Sequence, residues 1–209
     1  MRQVKGCTGL AIVVAAFAIV AIPSSAMAEG STALCKEEVL NGCSGEQLYK
    51  AGTSVEASLK PGTQALVLTP EFTIKCGQAS VAMKTLQTLA TPLEAEVTLW
   101  KFSKCFLGTA ECSSVVAETT GSLSLLREAA YKAIATVGMS ISYKCPTTLT
   151  CKYSTPAAEF QLISPPIEEA AKLWANEQLF ADETLGCLKQ MKLDVMYSVT
   201  APTPIYVST

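Results

Sequence analysis

Short runs of alternating apolar and polar residues recur along this chain about every ten residues, and each has the period of two of a strand with one wet face. Ser54–Leu59 alternates, Pro61 and Gly62 turn the chain, and residues 64–69 follow as a second strand that ends at Pro70. Phe72, Ile74 and Cys76 share one face of a third run. Residues 97–102 are rich in β-branched and aromatic side chains, with Lys101 and Ser103 marking the wetter side. Residues 131–137, 139–143 and 160–163 repeat the period, and residues 193–199 and 205–207 flank a corner at Pro202 and Pro204. The series predicts an all-β domain, a disulfide-stapled β-sandwich or barrel.

One segment reads two ways. Residues 167–183 follow Pro165 and Pro166 and hold Glu168, Glu169, several alanines, Leu173 and Trp174, a composition with good helix propensity. Leu173 and Phe180 suit one helical face, yet Lys172, Trp174 and Asn176 also fit alternate positions of a strand. The segment stands between one helix and a pair of strands. Residues 122–130 carry a milder form of the same ambiguity.

The amino terminus has a different pattern. Arg2 and Lys5 give a basic start, residues 10–22 are apolar and uncharged, and Ala26, Met27 and Ala28 supply small residues for a signal peptidase. This predicts a signal peptide over residues 1–28 and one secreted β domain over residues 29–209. Thirteen apolar residues are too few to span the roughly 30 Å hydrocarbon layer as a helix, and no later segment is long and apolar enough. Glu29, not a cysteine, follows the cut, which argues against a lipid anchor.

Cleavage removes Cys7 from the nine cysteines and leaves eight, an even number in an oxidising destination. Spacing predicts three local disulfides: Cys35 with Cys43, Cys105 with Cys112, and Cys145 with Cys151. Each encloses turn formers or breakers, namely Asn41 with Gly42, Gly108 and Pro146. Elimination leaves Cys76 with Cys187, a long bridge expected to contribute most to stability. No C-x-x-C occurs, so zinc and thioredoxin-like chemistry are disfavoured.

Composition narrows the chemistry further. There is no histidine, and beyond the leader Arg127 is the single arginine, which excludes a Ser/His/Asp triad, an imidazole base and a His-bearing zinc site. Losing Arg2 and Lys5 turns 16 basic against 18 acidic residues into a net charge of −4, with scattered lysines and no basic stripe for nucleic acid. Two aspartates and no D-x-D-x-D-G loop leave no calcium site. No metal and no cofactor is expected. The acid/base candidates are Glu94 with Glu96, which read as a solvated strand face, and Asp182, Glu183 and Asp194 near Cys187. Ser58 with Lys60 and Ser142 with Lys144 lack the S-x-x-K spacing of a Ser/Lys nucleophile. Trp100 and Trp174 could stack on sugars, although core packing is the default for both, and one exposed aromatic is expected near residue 100.

Residues 33–35, 73–76, the pairs Cys105/Cys112 and Cys145/Cys151, and the ending at residues 197–202 and 205–208 resemble a group of uncharacterised secreted, disulfide-rich all-β proteins of actinobacteria. The resemblance implies export and β structure and carries over no site residue. It departs at residues 168–183, where members of the group are richer in Gly and Thr. The favoured reading is a secreted or cell-envelope domain with a non-enzymatic binding or structural role toward surface components or other proteins. The alternative is a carboxylate-dependent hydrolase acting on polysaccharide.

Overall fold

The computed structural model describes residues 31–38, 43–146, 149–164 and 169–208. The leader expected over residues 1–28 and the Asn41–Gly42 turn lie outside the described residues.

Thirteen strands follow one another: β1 (Thr32–Cys35), β2 (Ser54–Leu59), β3 (Ala65–Leu68), β4 (Thr73–Thr85), β5 (Leu89–Ala90), β6 (Leu93–Leu107) and β7 (Ala110–Glu111). Then come β8 (Ser114–Ala129), β9 (Lys132–Lys144), β10 (Cys151–Ile163), β11 (Lys172–Asp182), β12 (Gln190–Ala201) and β13 (Tyr206–Ser208). Antiparallel ladders run β4–β6–β8–β9–β10–β11–β12 and return through β2 to β4, which closes an eight-stranded barrel. The expected all-β, disulfide-stapled fold is therefore the one observed, in its barrel form.

Several strands are longer than their alternation suggests. The runs 131–137 and 139–143 are one strand, β9, continuing through Gly138. A Cβ on Gly138 would stand 2.3 Å from Thr120 Oγ1 and 3.0 Å from the Thr120 carbonyl oxygen, so a side chain there would have to displace the neighbouring strand. Residues 122–130 resolve into β8 as far as Ala129.

In the segment 167–183 the described residues contain no helix. β11 occupies Lys172–Asp182 and pairs with β10 on one side and β12 on the other. Leu173 and Ala175 face the interior, an irregularity between Ala175 and Gln178 shifts the parity, and Phe180 then also points inward. Two ladders and three buried side chains outweigh the helix preference of its glutamates and alanines.

The Pro61–Gly62 turn does not reverse the chain. β2 and β3 both run antiparallel to β4, so they point the same way and share one position in the wall. Between them residues 60–64 bulge outward in a turn closed by the Thr63 N–H donating to the Lys60 carbonyl oxygen at 3.1 Å. Gly62 has φ 79°, the left-handed conformation that the third position of a type II turn requires.

Four disulfides form. Cys35–Cys43 matches the expectation from spacing. The other three predicted pairs are wrong: Cys76 bonds Cys105, Cys112 bonds Cys145, and Cys151 bonds Cys187. Cys105 and Cys112 do approach each other across the β6–β7 hairpin, where the Cys112 N–H donates to the Cys105 carbonyl oxygen at 2.9 Å. The Cys105 side chain, however, is buried and lies opposite Cys76 in the β4–β6 register. Cys112 is left for Cys145 at the end of β9, and Cys151 for Cys187 in the β11–β12 connection. These three bridges lie toward one end of the barrel.

The interior is filled. In the middle Trp100 packs on Phe160 with ring centroids 4.8 Å apart and meets Tyr197 edge-on, while toward the disulfide end Tyr143 stacks on Tyr153. Toward the other end the lining is aliphatic, and the small sheet β13–β1–β5 lies across the opening, with Leu34 and Ile205 reaching the barrel lining.

Candidate functional site

An eight-stranded barrel can hold a ligand inside or present one outside. Here the internal cavity is about 30 Å³, lined by aliphatic side chains such as Val55, Leu93, Leu123 and Leu173, with Leu34 and Ile205 from the cap. Thr85 brings the one hydroxyl, and that hydroxyl is already bonded to Lys50 and Thr53. The space is too small and too apolar for a ligand with polar groups.

The aromatic half offers no reactive group either. The Trp100 indole N–H donates to the Tyr197 hydroxyl at 2.8 Å, and the Tyr143 and Tyr153 hydroxyls lie 3.3 Å apart. Burial pushes the Tyr143 phenol well above its ordinary value of 10.0, helped by its hydrogen bond with Tyr153, and burial does the same to Tyr197. The linkage has a definite sign. Below pH 10 these phenols are neutral in both folded and unfolded chains, so their contribution is complete; above it the unfolded phenols ionise while the buried ones resist. Stability to urea is therefore expected to fall as pH rises past about 10. A Tyr197→Phe variant should show a flatter fall, and a flat wild-type profile from pH 8 to 11.5 would contradict it.

The candidate carboxylates fall on separate parts of the outer wall. Glu94 and Glu96 point outward from β6, as a polar outer face requires. Asp182 Oδ1 accepts the Thr184 N–H at 2.7 Å, and Glu183 accepts the Ser154 hydroxyl and lies 3.9 Å from Lys152. Asp194 accepts the Trp174 indole N–H at 3.4 Å. The Asp182 N–H bonds the Lys189 carbonyl, five residues along β12 from Asp194, so these two acids are about 17 Å apart by strand rise. That exceeds the roughly 5–9.5 Å of a glycosidase pair. Ser142 and Lys144 face outward on β9, and Arg127 sits near the capped end with its backbone N–H donating to Thr32 Oγ1 at 2.9 Å.

At the disulfide end a mouth of about 330 Å³ is lined by Phe72, Leu107, Tyr143, Leu149 and the Cys151–Cys187 bridge. A larger hollow, about 430 Å³, lies on the outer wall where residues 60–63 bulge away from β4. Its lining is mixed: Ser58, Lys60, Thr63, Gln78, Ser80, Lys101 and Ser103 stand beside Leu59, Pro61 and Ala79, with Gly62 and Gly77 between them. The lining contains two ammonium groups and no carboxylate, although the whole chain is acidic.

From the hollow a row of outward-facing residues runs round the convex outer wall of the barrel, outside the lining of the hollow beyond Ser58. Lys101 pairs with Ser80, Ser80 with Ser58, Ser58 with Ser198, and Ser198 with Lys172. All five point outward, because each stands between inward-facing neighbours: Trp100 and Phe102, Ala79 and Val81, Ala57, Tyr197 and Val199, and Leu173. Lys172 is paired with Glu169, whereas Lys101 meets no carboxylate within 4.0 Å among the described residues. Trp174, two residues from Lys172 on the same outer face, is half-buried and opposite Met196.

Sequence reading took core packing as the default for both tryptophans, which holds for Trp100 and not for Trp174 on the outer face, and it set the Ser58/Lys60 pair aside without assembling the row. It also expected an exposed aromatic near residue 100, which the structure contradicts. Trp100 and Phe102 are both buried, and the outward apolar residue is Leu99, because the register shifts between Ala82 and Met83 and puts Thr98 and Leu99 both outside. No protein family, curated protein or solved structure matches this chain.

Proposed function

We propose that this chain is a secreted, non-enzymatic binding domain of the bacterial cell envelope or its surroundings, exported by residues 1–28. Four disulfides support an oxidising destination, and among the described residues no helix is long and apolar enough to cross a membrane. The observation that carries the binding role is the contrast between a filled barrel and an open hollow of about 430 Å³ on its outer wall, lined by polar and apolar side chains together. A side chain in the floor of that hollow can change without disturbing the core.

The hydrolase alternative has less support, since Glu94, Glu96, Asp182, Glu183 and Asp194 line none of the cavities described above. The test is retention of the purified protein on insoluble cell-wall polysaccharide. Ser58→Trp, which fills the hollow from its floor, is expected to reduce retention at least tenfold while leaving the melting temperature within a few degrees of wild type. Undiminished retention by a folded Ser58→Trp protein, or release of soluble sugar by the wild type, would overturn this reading.

A further inference from the structure

Beyond the leader the chain has one arginine, and the fold turns it inward. Arg127 continues the inward parity of Leu123 and Leu125 on β8, at the capped end of the barrel. It pairs in register with the buried Ala133, which pairs in turn with the buried Leu162. Its Nε is sealed from solvent with no hydrogen-bond partner, and among the described residues no carboxylate lies within 4.0 Å of the guanidinium. The other buried side-chain atom without a partner among the described residues is Ser164 Oγ. Ser164 is the next position after Leu162 in the alternation that turns Phe160 and Leu162 inward, so both unpartnered atoms belong to the same rim. A guanidinium sheltered in this way without a counter-ion costs free energy, which a bound anion would recover.

Below this rim the barrel is aliphatic. Val55, Leu93, Leu123, Leu125 and Leu173 surround a space entered from above by Leu34 and Ile205, and a void of about 30 Å³ remains between them. The space is thus filled by the cap and not by the wall. Leu34 pairs with Val207 in the β1–β13 ladder and Ile205 immediately precedes β13, so these side chains leave the barrel together if the ladder lifts.

The cap holds together as a unit. Ala33, Cys35 and Cys43 pack in their own cluster with Leu48 and Tyr206, and the Cys35–Cys43 bridge closes it covalently. Its ladder to the wall is the two-residue pairing of β1 with β5. Two side-chain hydrogen bonds reach the β8–β9 edge: the Arg127 N–H donates to Thr32 Oγ1 at 2.9 Å, and the Tyr131 hydroxyl donates to Glu38 at 2.7 Å.

We propose that the β1–β13 pair is a lid, and that the aliphatic half-barrel beneath it takes the acyl chain of a carboxylated amphiphile whose carboxylate is held at the rim by Arg127. The acyl chain replaces Leu34 and Ile205 against the same aliphatic wall, so little apolar contact is lost on opening. The carboxylate accepts from the Arg127 Nε–H, and the Ser164 hydroxyl supplies a second donor at the rim. Trp100 and Phe160 close the floor and limit how deep the chain reaches. The site lies inside the barrel and the polysaccharide hollow outside it, so either assignment can fail without the other.

The probes are dodecanoate and the uncharged dodecanol, each below its micellar concentration, titrated calorimetrically into the intact protein. One dodecanoate per chain is expected, bound about tenfold more tightly than the alcohol. Arg127→Gln should remove that preference and leave dodecanol binding as it was. Stopped-flow association should reach a rate that no longer rises with dodecanoate concentration, because lid opening limits it. Tyr131→Phe, which cuts the hydrogen bond to Glu38 on the exposed side of the cap without making a void, should raise that limiting rate about threefold. No binding of either probe by folded wild type, or a stoichiometry well above one, would overturn the site. Equal affinity for acid and alcohol in wild type and Arg127→Gln alike would overturn the carboxylate assignment. A rate that climbs linearly throughout and is unchanged in Tyr131→Phe would overturn the lid.

Discussion

Replacing Cys76 and Cys105 together by serine is expected to lower the unfolding free energy by about 4 kcal/mol, more than removing Cys35 and Cys43. The Cys76–Cys105 bridge closes a loop with a sequence separation of 29, worth about 3.5 kcal/mol of denatured-state entropy, against about 2.5 kcal/mol for a separation of 8. Burial widens the gap. Both sulfurs of the first bridge belong to the barrel core, so two serine hydroxyls would be left where little water reaches them. Cys35 and Cys43 pack in a separate small cluster with Ala33 outside the barrel. Urea midpoints of the two double variants, each with the other bridges intact, decide the matter. Equal shifts, or a larger shift for the Cys35/Cys43 variant, would show that the wall between β4 and β6 does not depend on its covalent link.

Trp100→Ala is expected to cost a comparable amount, about 4 kcal/mol. The indole fills the middle of the barrel against Phe160 and Tyr197, so its loss leaves a void that rigid walls cannot collapse around. It also strips the fully buried Tyr197 hydroxyl of its donor. Trp100→Phe separates the two effects: most of the volume returns while the N–H stays absent, and a loss of about 2 kcal/mol is expected. An alanine variant within 1 kcal/mol of wild type would mean that the interior repacks freely.

The predictions differ because the two features were not equally visible in the sequence. Alternation at Ser54–Leu59 and around Ile74 announced strands, since a half-buried strand writes its two faces into consecutive residues. What alternation does not record is which strand lies next to which. Cys105 has Cys112 across its hairpin and Cys76 across the opposite ladder, and linear spacing favours the former while inward orientation selects the latter. The same limit hid the outer row. Lys101, Ser80, Ser58, Ser198 and Lys172 come from five strands, and each alone is an ordinary polar residue on a wet face. Residues 172–182 failed in another way, because an irregularity at Asn176 and Glu177 breaks the period of two at the place where a helix would have been recognised by its own period.

Ring closure of the barrel also bears on how densely this chain can be displayed. Every long strand in it has a neighbour on each side, and among the described residues the strands with a free flank are β5, β7 and β13, two or three residues each. Unpaired flanks are where copies of a β protein add to one another as sheets. Copies of this chain thus offer one another, among the described residues, only stubs too short to seed a continuous sheet.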